Sequence, residues 1–557
     1  MVGDPVLRRW LFSRLAGTTT GEPAFTAHRP PYLDGMLPLT AEVPTTDLAT
    51  LSSAPPEAPI DLALPGEVAR VTPGGAGDLY RRAFADEETA LAVHRFAWLP
   101  LQGAATDPAW VDVLWRVWCE RHGTPDDGPS WHPYTAAERA VNILQYARRH
   151  GLPGPRAETL AILAGHAPVI ASGLEYFGDH HTSNHLANNG RGLFVLGLAL
   201  GLKRAADIGG RILIEEGTRI FSASGILREG SSHYHLLLTR AYAEAWLAAR
   251  RHDRPETEAL RHISERALAV IPHLILPGGM PLVGDASPDC PPEYLSGLAD
   301  GDEGWVSELE ADERTALTEL RGAVTPAKPE KLAADGWRRA DFGAWSGLWH
   351  APPAGWSAMP GHGHQDIGGF EVHYGTEAVF RDLGRGRYGE TGEAAFYRSA
   401  LAHNTVAIDG RDPFPPNKPY YDETFRSRIG GPPPKLRRYV NAMTLSHQGY
   451  ARLGSVGALS RRWSFSASEL RIDDGVEGSG RHRVTRRLHT TLAVEPTASG
   501  ALLKGQDACF RIHADGPVTI EPATFWGAYG SAGPATTIDV TVTTELPWQG
   551  VLTVAVE

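Results

Sequence analysis

The periodicity of apolar residues changes once along this chain, and that change limits the possible folds more than any other feature. From about residue 78 to 325 the apolar positions recur at helical spacing. Ala136, Ala140, Ile143, Leu144 and Ala147, for example, stand at i, i+4, i+7, i+8 and i+11 on one face. Similar segments lie around 88–98, 108–121, 157–172, 186–203, 208–222, 235–251 and 256–273, some separated by breakers such as Gly151-Leu152-Pro153-Gly154 and Pro277-Gly278-Gly279. After about 335 the period falls to two, as in Phe370-Glu371-Val372-His373-Tyr374, Leu470-Arg471-Ile472-Asp473, Ile538-Asp539-Val540-Thr541-Val542 and Leu552-Thr553-Val554-Ala555-Val556. Short alternating runs between Gly, Pro and Asp turns predict antiparallel strands. Paired helices followed by strands predict an α+β chain with segregated domains, an (α/α) toroid and then an antiparallel β-sandwich. The expected divisions are an irregular Pro/Gly/Thr/Ala-rich arm over 1–75, a helical domain over 76–330 and a sandwich over 331–557.

Length and composition agree with this division. A chain of 557 residues, 42% hydrophobic and 21% charged, is too long for one core and has the balance of a globular protein. No run of about 18 apolar residues occurs, so a membrane span is not expected. Met1 to Gly17 mixes Arg8, Arg9 and Arg14 with Trp10, Leu11, Phe12 and Leu15 and has no uninterrupted apolar stretch. It reads as a short amphipathic helix instead of an export leader, giving a cytoplasmic expectation. Cys119, Cys290 and Cys509 lie far apart and form no CxxC pair, which argues against a disulfide scaffold or a cysteine–zinc knuckle. A net charge of −12 gives no support for nucleic-acid binding and requires any acidic ligand to be met by a local cationic groove.

Three clusters carry candidate chemistry. In Asp179-His180-His181-Thr182-Ser183-Asn184-His185-Leu186-Ala187-Asn188-Asn189-Gly190-Arg191, a helix from about Ser183 places Asn184, Asn188 and Arg191 on one face, either as a capping feature or as a site wall. In Glu229-Gly230-Ser231-Ser232-His233-Tyr234-His235, serine is a natural N-cap, and two imidazoles flank a phenol. That phenol is a useful base only if its pKa of about 10 is depressed by nearby positive charge or donors. In Gly361-His362-Gly363-His364-Gln365-Asp366, histidines open a strand, with Asp382 and His403 farther on. His364, Asp382 and His403 offer two imidazoles and a carboxylate, a donor set suited to zinc, although loop histidines are often only surface groups. Gly384-Arg385-Gly386-Arg387-Tyr388-Gly389 matches GxGxxG, but no βαβ pattern follows and it is set aside as a dinucleotide fingerprint.

In this order the clusters resemble the heparinase II/III-like polysaccharide lyases. The strings that carry the resemblance are Trp131-His132-Pro133-Tyr134 with Arg139 and Asn142, then Asn184-His185-Leu186, then Glu229 to His235. They continue with His362-Gly363-His364-Gln365-Asp366, Asp382-Leu383-Gly384 and Ala402-His403-Asn404-Thr405-Val406, spanning about residues 80 to 490. The resemblance implies an incomplete (α/α) toroid followed by a sandwich, with the cleft between them. It implies that Asn184, assisted by His185, neutralises a substrate uronate carboxylate. It makes Tyr234 the catalytic base and acid and His362 a second proton-transfer group. Tyr388 falls where some alginate-acting relatives place another catalytic tyrosine. It assigns His364, Asp382 and His403 to a structural zinc.

These residue types suit β-elimination. Hydrogen bonds from Asn184 and His185 would stabilise the aci-enolate formed when the C5 proton leaves. Tyr234 or His362 would remove that proton, and a protonated partner would assist the C4 oxygen. The product would carry a 4,5-unsaturated uronate. Asn188, Arg191, His233, Arg385 and Arg387 are the expected substrate contacts, the arginines as bidentate donors. Arg426, Arg428, Lys435, Arg437 and Arg438 either extend that groove or form a solvated basic loop. The competing readings are a glycoside hydrolase, which needs two carboxylates across the scissile bond, and a non-catalytic carbohydrate-binding or exopolysaccharide-assembly protein.

Overall fold

The structure, a computed structural model, describes residues 5–19, 21, 26–178, 181–355, 359, 361–415 and 431–557. Capping residues set where the principal helices begin. Asp107 accepts from Ala109 N ahead of Pro108–His122. His132 accepts from Tyr134 N ahead of Pro133–His150. Ser231 accepts from Tyr234 N ahead of Ser232–Arg251, as the serine N-cap reading expects. The helices Arg156–Ser172, Asn184–Leu200, Lys203–Ile220 and Thr257–Leu268 follow the sequence segments closely. Gly201, in the left-handed conformation, ends Asn184–Leu200. No described helix is long and apolar enough to cross a membrane.

Among the described residues the named strands, all antiparallel, form one eight-stranded sheet and two four-stranded sheets after residue 336, and a separate two-stranded hairpin over residues 60–71. In the large sheet, Lys435–Arg438, Ala442–His447, Val456–Phe465, Glu469–Gly478 and Trp548–Val556 run side by side. The four alternating runs expected from sequence each lie within a strand. Trp345, Trp349, Phe370, Trp463, Leu488 and Ile538, drawn from all three sheets, share one core, so the layers close on each other as a sandwich.

The expected irregular arm is a correction in part. Pro5–Leu15 is helical, as the reading of Met1 to Gly17 expects, but Ile60–Leu64 pairs with Glu67–Val71 as a hairpin turned at Pro65-Gly66. Other described parts of the arm meet the helical domain through backbone bonds, among them His28 N to Tyr176 O at 2.7 Å and Thr45 N to Leu200 O at 2.8 Å. The hairpin is pinned to the toroid where Thr89 Oγ1 donates to Pro65 O at 2.7 Å. At its turn Gly66 meets Gly530 of the sandwich hairpin Val518–Ala528/Ser531–Glu545. A Cβ on Gly530 would lie 2.2 Å from Gly66 Cα, so the two domains touch here backbone to backbone. Tyr529 beside it donates to Asp86, the N-cap of helix Glu87–Arg95, at 3.1 Å.

Candidate active site

A loop of the helical domain around Gly284 packs against the sandwich segment at His362, with Asp285 N donating to His362 O at 2.9 Å. Gly284, at φ +74°, is wedged where a Cβ would lie 2.4 Å from Gly230 O and 2.7 Å from His362 O. Only glycine fits there, and the fit brings Asp285 between the N-terminus of helix Ser232–Arg251 and the segment around His362. Asp285 accepts from His364 Nε2 at 2.7 Å and Arg385 Nη1 at 2.9 Å, and lies 3.1 Å from His362 Nδ1. Burial alone would raise its carboxyl pKa, but these donors and the Arg385 charge hold it well below the carboxylate range.

Because Asp285 is an anion, His362 Nδ1 carries the donated proton, and in the neutral ring Nε2 is left with its lone pair. That Nε2 lies 3.1 Å from Asn184 Nδ2. Asn184 opens helix Asn184–Leu200 and is fixed by buried Glu229, which accepts from its backbone N at 2.7 Å and its Nδ2 at 2.8 Å. The Tyr234 ring stacks on His362 at 3.5 Å between centroids and 10° between planes. Tyr388 Oη donates to Ala286 O at 3.0 Å, so in the neutral pair Tyr234 Oη donates to Tyr388 Oη at 2.6 Å. Asn184, Tyr234, His362 and Tyr388, far apart in sequence, thus form one cluster.

The electrostatics divide these groups. Burial, followed by the nearby Asp289 charge, raises the Tyr234 phenol well above its ordinary value of 10.0; burial does the same for Tyr388. The depression that a tyrosine base needs is absent, so Tyr234 stays protonated. His185 lies at the edge of the cluster, with its side chain 45% exposed and Nδ1 2.7 Å from Glu175 Oε1. Burial pulls its pKa down, but Glu175 more than offsets this and holds the imidazole above its ordinary value.

Four of the expected substrate contacts are corrections. Arg191 is buried, with Nη1 2.6 Å from Glu138 and Nε 2.6 Å from Glu244, an internal clamp with both carboxylates supplied by the protein. Arg385 is buried against Asp285 and donates to Ala394 O and Gly389 O at 3.1 and 2.8 Å. Asn188 accepts from Arg191 at 3.3 Å and lies under the Tyr134 carbonyl. His233 is fully buried, accepts from Ser287 N at 3.0 Å, and is kept neutral by burial that lowers its pKa to about 4. Arg387, beside Tyr388, is exposed.

Asp179, His180, Arg426 and Arg428 lie outside the described residues. Lys435 and Arg437 line a depression on the large sheet that shares no lining residue with the cluster of Asn184, Tyr234, His362 and Tyr388, and Arg438 packs over Phe342. Sequence reasoning gave no role to Asp285, Glu229, Glu175 or Asp289. Asp289 accepts from Tyr134 Oη at 2.5 Å and pairs with Arg95 at 2.9 Å. The available signal was weak: single acidic residues with no periodic spacing, three of them (Glu229, Asp285 and Asp289) beside a glycine or proline.

Around the expected metal site, His364 Nδ1 and His403 Nε2 are buried without a hydrogen-bond partner, with ring centroids 5.2 Å apart. These nitrogens fit zinc ligands. Asp382 is turned to His403 Nδ1 at 2.7 Å and to Gly384 N at 3.0 Å, which is the position of an outer partner. Among the described residues no group of three or more His, Cys, Asp or Glu is arranged to hold a metal ion.

Residues 325–549 match the family model described as heparinase II/III-like, C-terminal. Over most of its length the fold is similar to solved structures titled heparinase III. One, a heparinase III gene product, is 17% identical with a TM-score of 0.57, over 86% of this chain and 80% of that one. Another is 16% identical with a TM-score of 0.58, over 86% and 78%. A heparan sulfate lyase mutant from Pedobacter heparinus is 17% identical with a TM-score of 0.50, over 86% and 78%. At these identities the likeness is one of fold, an incomplete (α/α) toroid followed by an antiparallel β-sandwich. No curated protein is significantly similar in sequence.

Proposed function

We propose that the chain is a polysaccharide lyase that cleaves a uronate-containing acidic polysaccharide or oligosaccharide by β-elimination, leaving a 4,5-unsaturated uronate. The observation that carries this reading is the His362 ring, its Nδ1 proton fixed by Asp285, its Nε2 beside Asn184 and its face stacked on a protonated phenol. His362 Nε2 takes the C5 proton, and the electron pair of that bond forms the C4–C5 double bond through the aci-enolate. The C4–O bond breaks, and the departing oxygen takes its proton from Tyr234 Oη, which Tyr388 orients. Asn184 and the His185 imidazolium stabilise the charge that builds on the carboxylate, the part that prealigned donors play best. Proton return between His362 and Tyr234 resets the pair.

This refines the expectation that Tyr234 both removes and returns the proton. A phenol raised by burial makes a better acid partner than base. The hydrolase reading is disfavoured although two carboxylates, Glu229 and Asp285, flank His362. Both are held by donors, and Asp285 is kept anionic, whereas one of the pair must begin as a general acid. Zinc would be held by His364 and His403, with Asp382 as third ligand after turning from the His403 ring. It would act by tying strand ends together, with no part in the proton transfers. The deciding experiment is a panel of uronate polymers screened for ultraviolet absorbance of an unsaturated uronate. New reducing ends without that absorbance would favour hydrolysis, and neither signal on any polymer would favour a binding role.

A further inference from the structure

The strand register builds a second basic surface, on the face of the large sheet turned away from its core. Arg437 pairs with Thr444, Thr444 with Arg462, and Arg462 with Asp473, so these side chains form one row. Lys435, two residues before Arg437, heads the next row on the same face, with Ser446, Ser460 and Gly475. The intervening residues Met443, Leu445, Trp463 and Ile472 point the other way, into the sandwich core. Short side chains between long cations make a depression of about 530 Å³, with half-exposed Tyr439 among its lining residues.

Its charge runs against that of the protein as a whole. Among its ionisable groups, Arg461 is paired with Asp474 at 2.6 Å and Arg471 with Asp473 at 2.7 Å. Lys435 and Arg437 have no ion pair among the described residues, and Arg462 donates only to Ser464 Oγ, at 3.1 Å. Three uncompensated cations thus share one groove on a chain of net charge −12. Lys435 and Arg437 are about 7 Å apart along their strand, and Arg437 and Arg462 about 10 Å apart across two strand spacings. That array meets negative charges repeated along an extended chain better than a single compact anion.

We propose that this groove is an auxiliary binding site for a segment of acidic polysaccharide, holding the polymer while another segment is processed in the interdomain cleft. The choice of polymer rests on the proposed lyase reading; the binding itself does not require turnover. Tyr439, with Arg462 5.7 Å over its ring, offers an apolar face to a sugar ring beside the cations.

The test uses the full chain and the double variant Arg437→Glu/Arg462→Glu, both positions being exposed. Binding is measured to immobilised heparin and polygalacturonate, with a single-stranded DNA oligomer as the control polyanion. Each exposed ion pair is worth roughly two- to fivefold in affinity, so reversing two cations should weaken binding to at least one polysaccharide by about tenfold or more. The KM for a long polymer should rise correspondingly, while kcat/KM on a tetrasaccharide too short to bridge both sites stays unchanged. Unaltered polysaccharide binding by the double variant overturns the proposal, as does wild-type binding to DNA as tight as to either polysaccharide. If the wild type shows no lyase activity yet loses polysaccharide binding in the double variant, the lyase reading fails and the groove stands.

Discussion

Replacing Tyr234 by Phe removes one oxygen and little else. The ring remains stacked on His362, and Tyr388 keeps its acceptor at Ala286 O, so no buried donor is stranded. The stability lost is that of one neutral hydrogen bond, about 1 kcal/mol. The catalytic loss is larger, because the departing C4 oxygen would leave unprotonated. Loss of a general acid costs about 10²–10⁴ in rate, or about 2.7–5.4 kcal/mol of barrier. The assay is the initial rate of unsaturated-uronate absorbance on a polymer the wild type cleaves, paired with urea unfolding to show that the fold persists. A second substrate with a nitrophenol at C4 separates the roles, since that group leaves without a proton. If Tyr234 serves only as acid, the variant should lose less than about tenfold on it. An equal loss on both substrates would make Tyr234 the base as well. More than about a tenth of wild-type rate on the polymer would show that Tyr234 transfers no proton to the leaving oxygen.

Arg191→Met should destabilise folding by about 3–5 kcal/mol, because Glu138 and Glu244 lose their buried partner. A raised KM with unchanged urea midpoint would instead return Arg191 to the substrate. The His185–Glu175 pair gives a pH signature, since Glu175 is lowered from 4.5 and His185 raised from 6.5. Its stabilisation is full between those two values, fades in acid as Glu175 protonates below 4.5, and fades above 6.5 as His185 loses its proton. The melting-temperature difference between wild type and Glu175→Gln should therefore be greatest near pH 5.5, and a pH-independent difference would exclude the charged pair. Metal analysis should find one zinc per chain that His403→Ala abolishes; a metal-free wild type with full activity would leave those imidazoles purely structural.

The elements were legible because local rules set them. Apolar spacing gave the helices within a few residues, and alternation gave the strands. Two-residue alternation around Pro65-Gly66, with Ile60, Leu62 and Leu64 inward, was equally available and marks the hairpin within the supposed irregular arm. The convergence of Asn184, Tyr234, His362 and Tyr388 came from the resemblance, since nothing local ties positions so far apart. Side-chain direction was harder to read. An arginine on a polar-looking helix face reads as a ligand donor until Glu138 and Glu244, each 53 positions away, turn out to enclose it. Asp285 was invisible for a related reason, because its importance lies in the three donors that meet it and not in its neighbours in sequence.

The contact of Gly66 with Gly530 joins positions 464 residues apart, so on a ribosome it cannot form until all of the intervening chain has been made. Closing so long a loop carries a large entropic cost, and contacts of this separation form late. The same hairpin carries Tyr529, whose hydroxyl accepts from Tyr388 N at 3.2 Å and donates to Asp86. Tyr388 in turn positions Tyr234. Maturation of the site is therefore scheduled by topology: each half can acquire its secondary structure while Tyr234, the acid of the proposed reaction, is still unaligned. In refolding, helical signal should recover ahead of turnover, and the lag should lengthen when Gly530→Ala wedges the junction open.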